Sequence, residues 1–339
     1  MPRFDLPLEE LRAYSPEVAE PSDFDSFWSR TISEARAAGW APRVERVKSA
    51  LTGVEVHGVE FAGFAGDPIR AWYLVPSNSA GRLAAVVEFA GYGSGRGRPH
   101  ERLSWVNSGY AYLLMDTRGQ GSRWGSGGDT ADPHGTGPSV PGYMTRGIES
   151  PDTYFYRRVF TDAVRAIDAI RGFERVDPER IAVTGGSQGG GIALAVAGLV
   201  PDLAAAMPDV PFLSHFERAV GLTDEDPYQE IVRYLAVERD AVEGTFQTLS
   251  YFDGVNFAKR STAPGLFSVA LLDPVCPPST VFAASNAYAG GADIEVYRFN
   301  QHEGGGGIHW ERQATWLADR METLKPRMSN FPTSSQAVS

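Results

Sequence analysis

The feature that most restricts the fold of this chain is a set of nearly unbroken apolar runs recurring between segments of helical period. AAVVEFAG (Ala84–Gly91), YAYLLMD (Tyr110–Asp116), IAVTGG (Ile181–Gly186) and GLFSVALLD (Gly265–Asp273) lack the in–out alternation of a strand with one wet face. They predict strands covered on both sides. RRVFTDAVRAIDAIRG (Arg157–Gly172), Gln188–Leu199, STVFAASNAYAG (Ser279–Gly290) and Ile308–Leu324 carry helical spacing, and DIEVYRFN (Asp293–Asn300) adds a further strand. Such alternation implies an α/β class fold, a mostly parallel, doubly wound sheet with right-handed crossovers. Ligands then belong at the carboxyl ends of the strands.

Ahead of this series, SDFDSFWSRTISEARAAG (Ser22–Gly39) reads as a surface helix with acids early and a glycine at its end. VEVHGVEFAG (Val54–Gly63) and IRAWYLVP (Ile69–Pro76), β-branched and aromatic runs around a Gly-Asp-Pro turn, predict an N-terminal hairpin. Two stretches interrupt the alternation. Residues 121–151 are rich in Gly, Pro, Ser and Thr and too long for an idle loop, and residues 222–260 look helical and are expected to cap the sheet. No interior linker divides the chain, so residues 1–327 read as one domain with insertions, followed by a disordered tail at 328–339.

Composition excludes several classes of partner. The formal net charge of −11 disfavours nucleic acid and anionic membranes, which are bound by clustered Lys and Arg. No segment approaches the roughly 18–20 unbroken apolar residues of a membrane span. The opening MPRFDLPLEELRAYSPE lacks the apolar region of a secretory signal, and the single Cys276 cannot form an internal disulfide. A cytoplasmic protein is expected.

Between a buried strand and a helix stands Gly185-Gly186-Ser187-Gln188-Gly189, a G-x-S-x-G sequence in the setting of a nucleophile elbow. The glycines let the backbone turn sharply, leaving the serine hydroxyl at a helix N-terminus. Serine needs a base, and the base needs an orienting carboxylate; on such sheets they follow in the order Ser, acid, His. Of the six histidines, His302 and His309 lie late enough. His302 follows the strand DIEVYRFN and is preferred, whereas His309 falls inside the last helix. Asp273 ends an apolar strand and is the preferred acid over Asp253, in the expected cap, and Asp293, at the wrong end of its strand. The oxyanion would be met by the main-chain N–H groups of Gln188, next after the serine, and of Tyr92, in the turn Gly91-Tyr92-Gly93.

Other motifs fail on spacing. Starting from Gly91 or Gly93, the last glycine of a dinucleotide-binding G-x-G-x-x-G would fall on Arg96 or Arg98. His302-Glu303 begins like H-E-x-x-H, but Gly306 occupies the second histidine position, and no P-loop sequence occurs. Neither a metal nor a cofactor is expected.

These motifs together resemble the acetyl xylan esterase and cephalosporin C deacetylase family, carbohydrate esterase family seven. The resemblance spans nearly the whole chain and rests on Arg118-Gly119-Gln120, on Gly185-Gly186-Ser187-Gln188-Gly189 and on His302-Glu303, with support from DPVCPPSTVFAASN and GYMTRGIESPDTYFYRRVFTDAVRA. It implies an α/β-hydrolase fold and the triad Ser187, Asp273 and His302, with Tyr92 and Gln188 as the oxyanion hole. Arg118, Gly119, Gln120 and Glu303 would be structural, and Tyr92, Pro227 and Val275 would line a small acyl pocket. The implied activity is removal of acetyl groups from short acetylated xylo-oligosaccharides and from cephalosporin-type esters. The implied assembly is a ring-like homo-hexamer, a dimer of trimers, with 121–151 at an interface. Competing expectations are a peptidase or broader esterase of the same fold, and a non-catalytic ligand-binding relative.

Overall fold

The computed structural model describes residues 5–135 and 137–324. The tail expected at 328–339, and the last three residues of the domain expected at 1–327, lie outside the described residues. Nine strands form one sheet in the order β1-β2-β3-β5-β4-β6-β7-β8-β9. They are β1 (Arg43–Arg46), β2 (Val54–Ala62), β3 (Pro68–Pro76), β4 (Leu83–Phe89), β5 (Ala111–Met115), β6 (Val176–Gly186), β7 (Ala205–Asp209), β8 (Gly265–Ala270) and β9 (Ala292–Tyr297). The first three pair antiparallel, β3 meets β5 antiparallel, and from β5 through β9 every pairing is parallel. This is the sheet of an α/β hydrolase.

The helices are α1 (Leu8–Arg12), α2 (Phe24–Ala37), α3 (Ser104–Asn107), α4 (Phe155–Arg171), α5 (Gln188–Leu199), α6 (Phe216–Leu222), α7 (Tyr228–Val237), α8 (Val242–Ser250), α9 (Gly254–Ala258), α10 (Pro278–Asn286) and α11 (Gly306–Thr323). Two apolar layers result. In β4, Ala85, Val87 and Phe89 join the layer containing α2, α4, α5 and α10, while Ala84 and Val86 join the layer under α3 and α11. Burial on both faces is why these strands show no alternation in sequence. Helix α5 is buried from Gln188 to Ala197, as a helix apolar all round must be.

Several expected elements shift. Strand β8 stops at Ala270, three residues before Asp273, and β9 stops at Tyr297, five before His302. Both side chains therefore stand on loops beyond the strand ends. Strand β7 was not expected at all: AAMPD is short and holds Pro208, whose missing N–H normally bars a central strand. The described residues of 121–151 contain neither helix nor strand, apart from one bridge between Ser94 and Trp124. They are nonetheless tied down. Asp116, past β5, accepts from the N–H groups of Arg96, Asp129 and Thr130 at 2.9, 2.7 and 2.9 Å.

Candidate active site

Ser187 begins α5 at φ 57°, ψ −118°, the conformation of the first central residue of a type II′ turn, where glycine is preferred. Two neighbouring glycines answer a steric need. A Cβ on Gly185 would lie 2.5 Å from the carbonyl carbon of Gly189, and one on Gly189 would lie 2.1 Å from the Phe89 oxygen. Gly186 meets nothing within 4 Å, so crowding explains the outer glycines of the motif and not the inner one. The Ser187 N–H donates to the Asp209 carbonyl at 2.9 Å, anchoring the turn to β7.

Asp273 is fully buried, and its carboxylate faces His302 Nδ1 with Oδ2 at 3.0 Å and Oδ1 at 3.2 Å. Oδ1 also accepts from the N–H groups of Val275 and Cys276 at 2.8 and 3.0 Å. These contacts fix the carboxylate before the imidazole is considered. Asp273 does not cap α10, whose N-cap is Pro277. Glu303 holds the histidine loop, accepting from Asn300 Nδ2 at 2.7 Å and from the Gln301 N–H at 3.0 Å. The Asn300 amide foremost holds the Glu303 carboxyl below its ordinary range.

His309 has a carboxylate partner too. Its Nε2 lies 2.8 Å from Asp209 Oδ1 and its Nδ1 3.0 Å from the Tyr297 hydroxyl, but its side chain is 2% exposed, against 34% for His302. Only the His302 pair is open to a substrate. Asp253, one of the two acids set aside in the sequence, is a helix cap: it accepts from the N–H groups of His215, Phe216 and Val255 at 2.9, 3.1 and 3.0 Å.

Cys276 is the residue that sequence reasoning passed over. Its sulfur, one carboxylate oxygen of Asp273 and one ring nitrogen of His302 lie within 4.8 Å of one another, and the Ser187 side chain is close enough to draw the thiol down against its burial. No hydrogen bond joins Ser187 directly to His302 among the described residues; such bonds often tighten only with substrate bound. Burial, and then the Asp273 charge, push the Cys276 thiol well up. A protonated thiol is a poor metal ligand, and Asp273 already spends its oxygens on two amides and the imidazole. Asp273 is thus committed to the imidazole and to its own loop.

The main-chain N–H groups of Tyr92 and Gln188 donate to no acceptor among the described residues; that of Gln188 is an orphan of the first helical turn. Gln120 holds Gln188 and the residue after Tyr92. Its Oε1 accepts the Gly93 N–H at 2.7 Å and its Nε2 donates to Gln188 Oε1 at 2.9 Å, an oxygen that also accepts the Tyr156 hydroxyl at 2.9 Å. Arg118, fully buried, clasps Asp162 through Nε and Nη2 at 2.6 and 2.8 Å and reaches Asp67 at 2.9 Å. Gly119, at φ 68°, donates its N–H to the Thr130 carbonyl at 2.8 Å. Pro227 is buried at the head of α7, and Val275 is placed by its bond to Asp273.

Residues 1–320 match the family described as acetyl xylan esterase (AXE1). The acetyl xylan esterase from Paenibacillus sp. R4 superposes with a TM-score of 0.88 at 38% identity, covering 93% of this chain and 99% of that one. Acetyl xylan esterase 1 from Thermoanaerobacterium sp. JW/SL YS485 gives 0.85 at 34% identity, with 93% and 99% covered. The acetyl esterase Axe7A of Xylanibacter ruminicola is 26% identical over 316 residues, which are 85% of this chain but only 66% of that relative's length. With a match running through every element of the sheet and both loops of the Asp–His pair, the chain belongs to the acetyl xylan esterase family, a family of carboxylic ester hydrolases.

Proposed function

We propose that the protein is a serine esterase that removes acetyl groups from small acetylated substrates, acetylated xylo-oligosaccharides and cephalosporin C-type esters, through an acetyl-enzyme. The observation that carries this is the Asp273–His302 pair at 3.0 Å, its carboxylate buried and its imidazole about a third exposed, on the same sheet edge as the strained Ser187. Ser187 Oγ attacks the ester carbonyl carbon as His302 Nε2 takes its proton; the carbonyl oxygen becomes an oxyanion facing the free N–H groups of Tyr92 and Gln188. His302 then returns the proton to the departing alcohol. Water, deprotonated by the same imidazole, attacks the acetyl carbon and releases acetate and the serine. Asp273 accepts the Nδ1 hydrogen bond, holds the imidazole in its working tautomer and stabilises the imidazolium.

Tyr92, Pro227 and Val275 form the small acyl wall in this proposal, Arg118, Gly119, Gln120 and Glu303 support the loops, and 222–260 serves as the cap. The assembly is a homo-hexamer in the cytoplasm, with 121–151 at a subunit contact. The test is acetate release from acetylated xylo-oligosaccharides and cephalosporin C, alongside p-nitrophenyl acetate and butyrate, by the wild type and Ser187→Ala. Acetate release lost in the variant, with acetate esters preferred over butyrate, is the expected result. An active Ser187→Ala protein, or a preference for butyrate or for peptides, overturns the proposal.

A further inference from the structure

Three segments far apart in the chain meet at one buried carboxylate. Glu230, in the first turn of α7, is 1% exposed. Its two oxygens each lie 2.7 Å from the Tyr92 hydroxyl that donates to them. Oε2 also accepts the main-chain N–H groups of Tyr143 and Met144, both at 3.0 Å. The Tyr143 N–H lies 2.6 Å from the Tyr92 hydroxyl oxygen as well. Gly142, at φ 130°, makes the approach possible, because a Cβ there would stand 2.1 Å from Glu230 Oε2. Helix α7, the loop 121–151 and the turn after β4 are thereby joined at a single side chain.

Enclosing this group is costly. Burial pushes the Glu230 carboxyl up, against the pull of the Met144 amide and the Tyr92 hydroxyl, and an apolar side chain of similar volume would fill the space without that penalty. What the carboxylate supplies, and an apolar filler cannot, is a fixed acceptor for the Tyr92 hydroxyl. Residue 92 is then gripped from two sides: Glu230 holds the ring end, and Gln120 holds the next amide, the Gly93 N–H, at 2.7 Å. Its own N–H is left without a partner among the described residues. Donors that stabilise an oxyanion work by being aimed before the charge develops, so whatever fixes the Tyr92 backbone fixes part of the transition-state stabilisation.

We infer that Glu230 is a positioning residue of the oxyanion hole, clamping the Tyr92 ring so that the Tyr92 N–H keeps its aim, and drawing Gly142–Met144 into the wall of the site. This rests on the serine-esterase proposal above. It gives part of the 121–151 loop a duty at the reacting centre, separate from any subunit contact.

The experiment is a double-mutant cycle on p-nitrophenyl acetate hydrolysis by the full chain, with melting curves on each protein. Glu230→Ala should lower kcat about ten- to hundredfold, less than removal of a donor outright, while KM changes less than about threefold. Glu230→Gln should recover most of the loss, since its amide oxygen can take both main-chain N–H groups and its NH2 can reach the phenol oxygen. Tyr92→Phe, which keeps the main-chain N–H and the two amide contacts of Glu230, should lose a similar factor, and the double variant should be no worse than the weaker single. Wild-type kcat in a folded Glu230→Ala, additive losses, or a raised KM with kcat untouched each overturn the inference. If Glu230→Ala does not fold, Tyr92→Phe decides: an unchanged kcat overturns it. A wild type inactive on acetate esters sinks the esterase proposal and this with it, whereas an active wild type with unaffected variants sinks the clamp alone.

Discussion

Replacing Asp273 with Asn should stop turnover with little damage to the fold, and the structure says why. Oδ1 holds two main-chain N–H groups, at 2.8 and 3.0 Å, and also lies 3.2 Å from His302 Nδ1; Oδ2 stands 3.0 Å from that same Nδ1. An asparagine keeps both amides satisfied only if its oxygen takes the Oδ1 place. Its NH2 then confronts Nδ1, and the imidazole must accept there and carry its proton on Nε2. In that tautomer it cannot take the serine proton. The opposite rotamer would point NH2 at two backbone donors, leaving buried groups unpaired at about 1–3 kcal/mol each, so the chain cannot escape by flipping the amide. The expected loss is about 10³- to 10⁴-fold in kcat, or about 4 to 5.5 kcal/mol at 1.36 kcal/mol per decade. Stopped assays of p-nitrophenyl acetate hydrolysis, with thermal melts in parallel, measure both quantities. A folded Asp273→Asn enzyme within tenfold of wild type would refute this account of the carboxylate.

Two further outcomes test the surroundings. Gly189→Ala forces a Cβ to 2.1 Å from the Phe89 carbonyl oxygen, whereas Gly186→Ala meets nothing within 4 Å; melting should drop by about 3 kcal/mol or more in the first and by less than about 1 kcal/mol in the second, and equal melts would show that crowding does not select the outer glycine. Burial raises the Asp253 carboxyl from 3.8 to about 6, so the fold favours its protonated form, and the stability this confers is complete below pH 3.8 and lost as pH rises through about 6, about 3 kcal/mol for roughly two units. Asp253→Asn should therefore gain stability relative to wild type between pH 4.5 and 7.5, and a constant difference in melting temperature across that range would contradict the burial of a charge there.

Much of the candidate site was legible because the chemistry proposed for it demands a fixed order of residue types. Ser187 announced itself through glycines on both sides, and the pairing of Asp273 with His302 followed from their places late in the chain. Their distance past the strand ends was not legible, since Leu271 and Leu272, and Arg298 to Gln301, continue the local pattern while the ladder has already ended. Strand β7 escaped notice because Pro208 signals an interruption, although here it pairs with Gly185 one position before the end of a central ladder. Cys276 and Glu230 were illegible for a different reason. A lone cysteine in a Pro-rich loop and a glutamate one place off the apolar stripe of α7 both look ordinary in sequence, and only tertiary packing delivers one to the serine and the other to Tyr92. The same holds for Asp209, which gives His309 a carboxylate of its own and left exposure, not pairing, to separate the two histidines.

The conformation of the nucleophile has a consequence for how such a protein can be improved. A serine at φ 57°, ψ −118° sits where L-residues are strained, at a cost of order 1–3 kcal/mol, and a glycine would relax it. Ser187→Gly chains would be expected to outlast the parent on heating while doing nothing to esters. Selection of libraries for heat resistance alone would therefore enrich inert survivors, and only a screen that also scores acetate release would keep the hydroxyl in place.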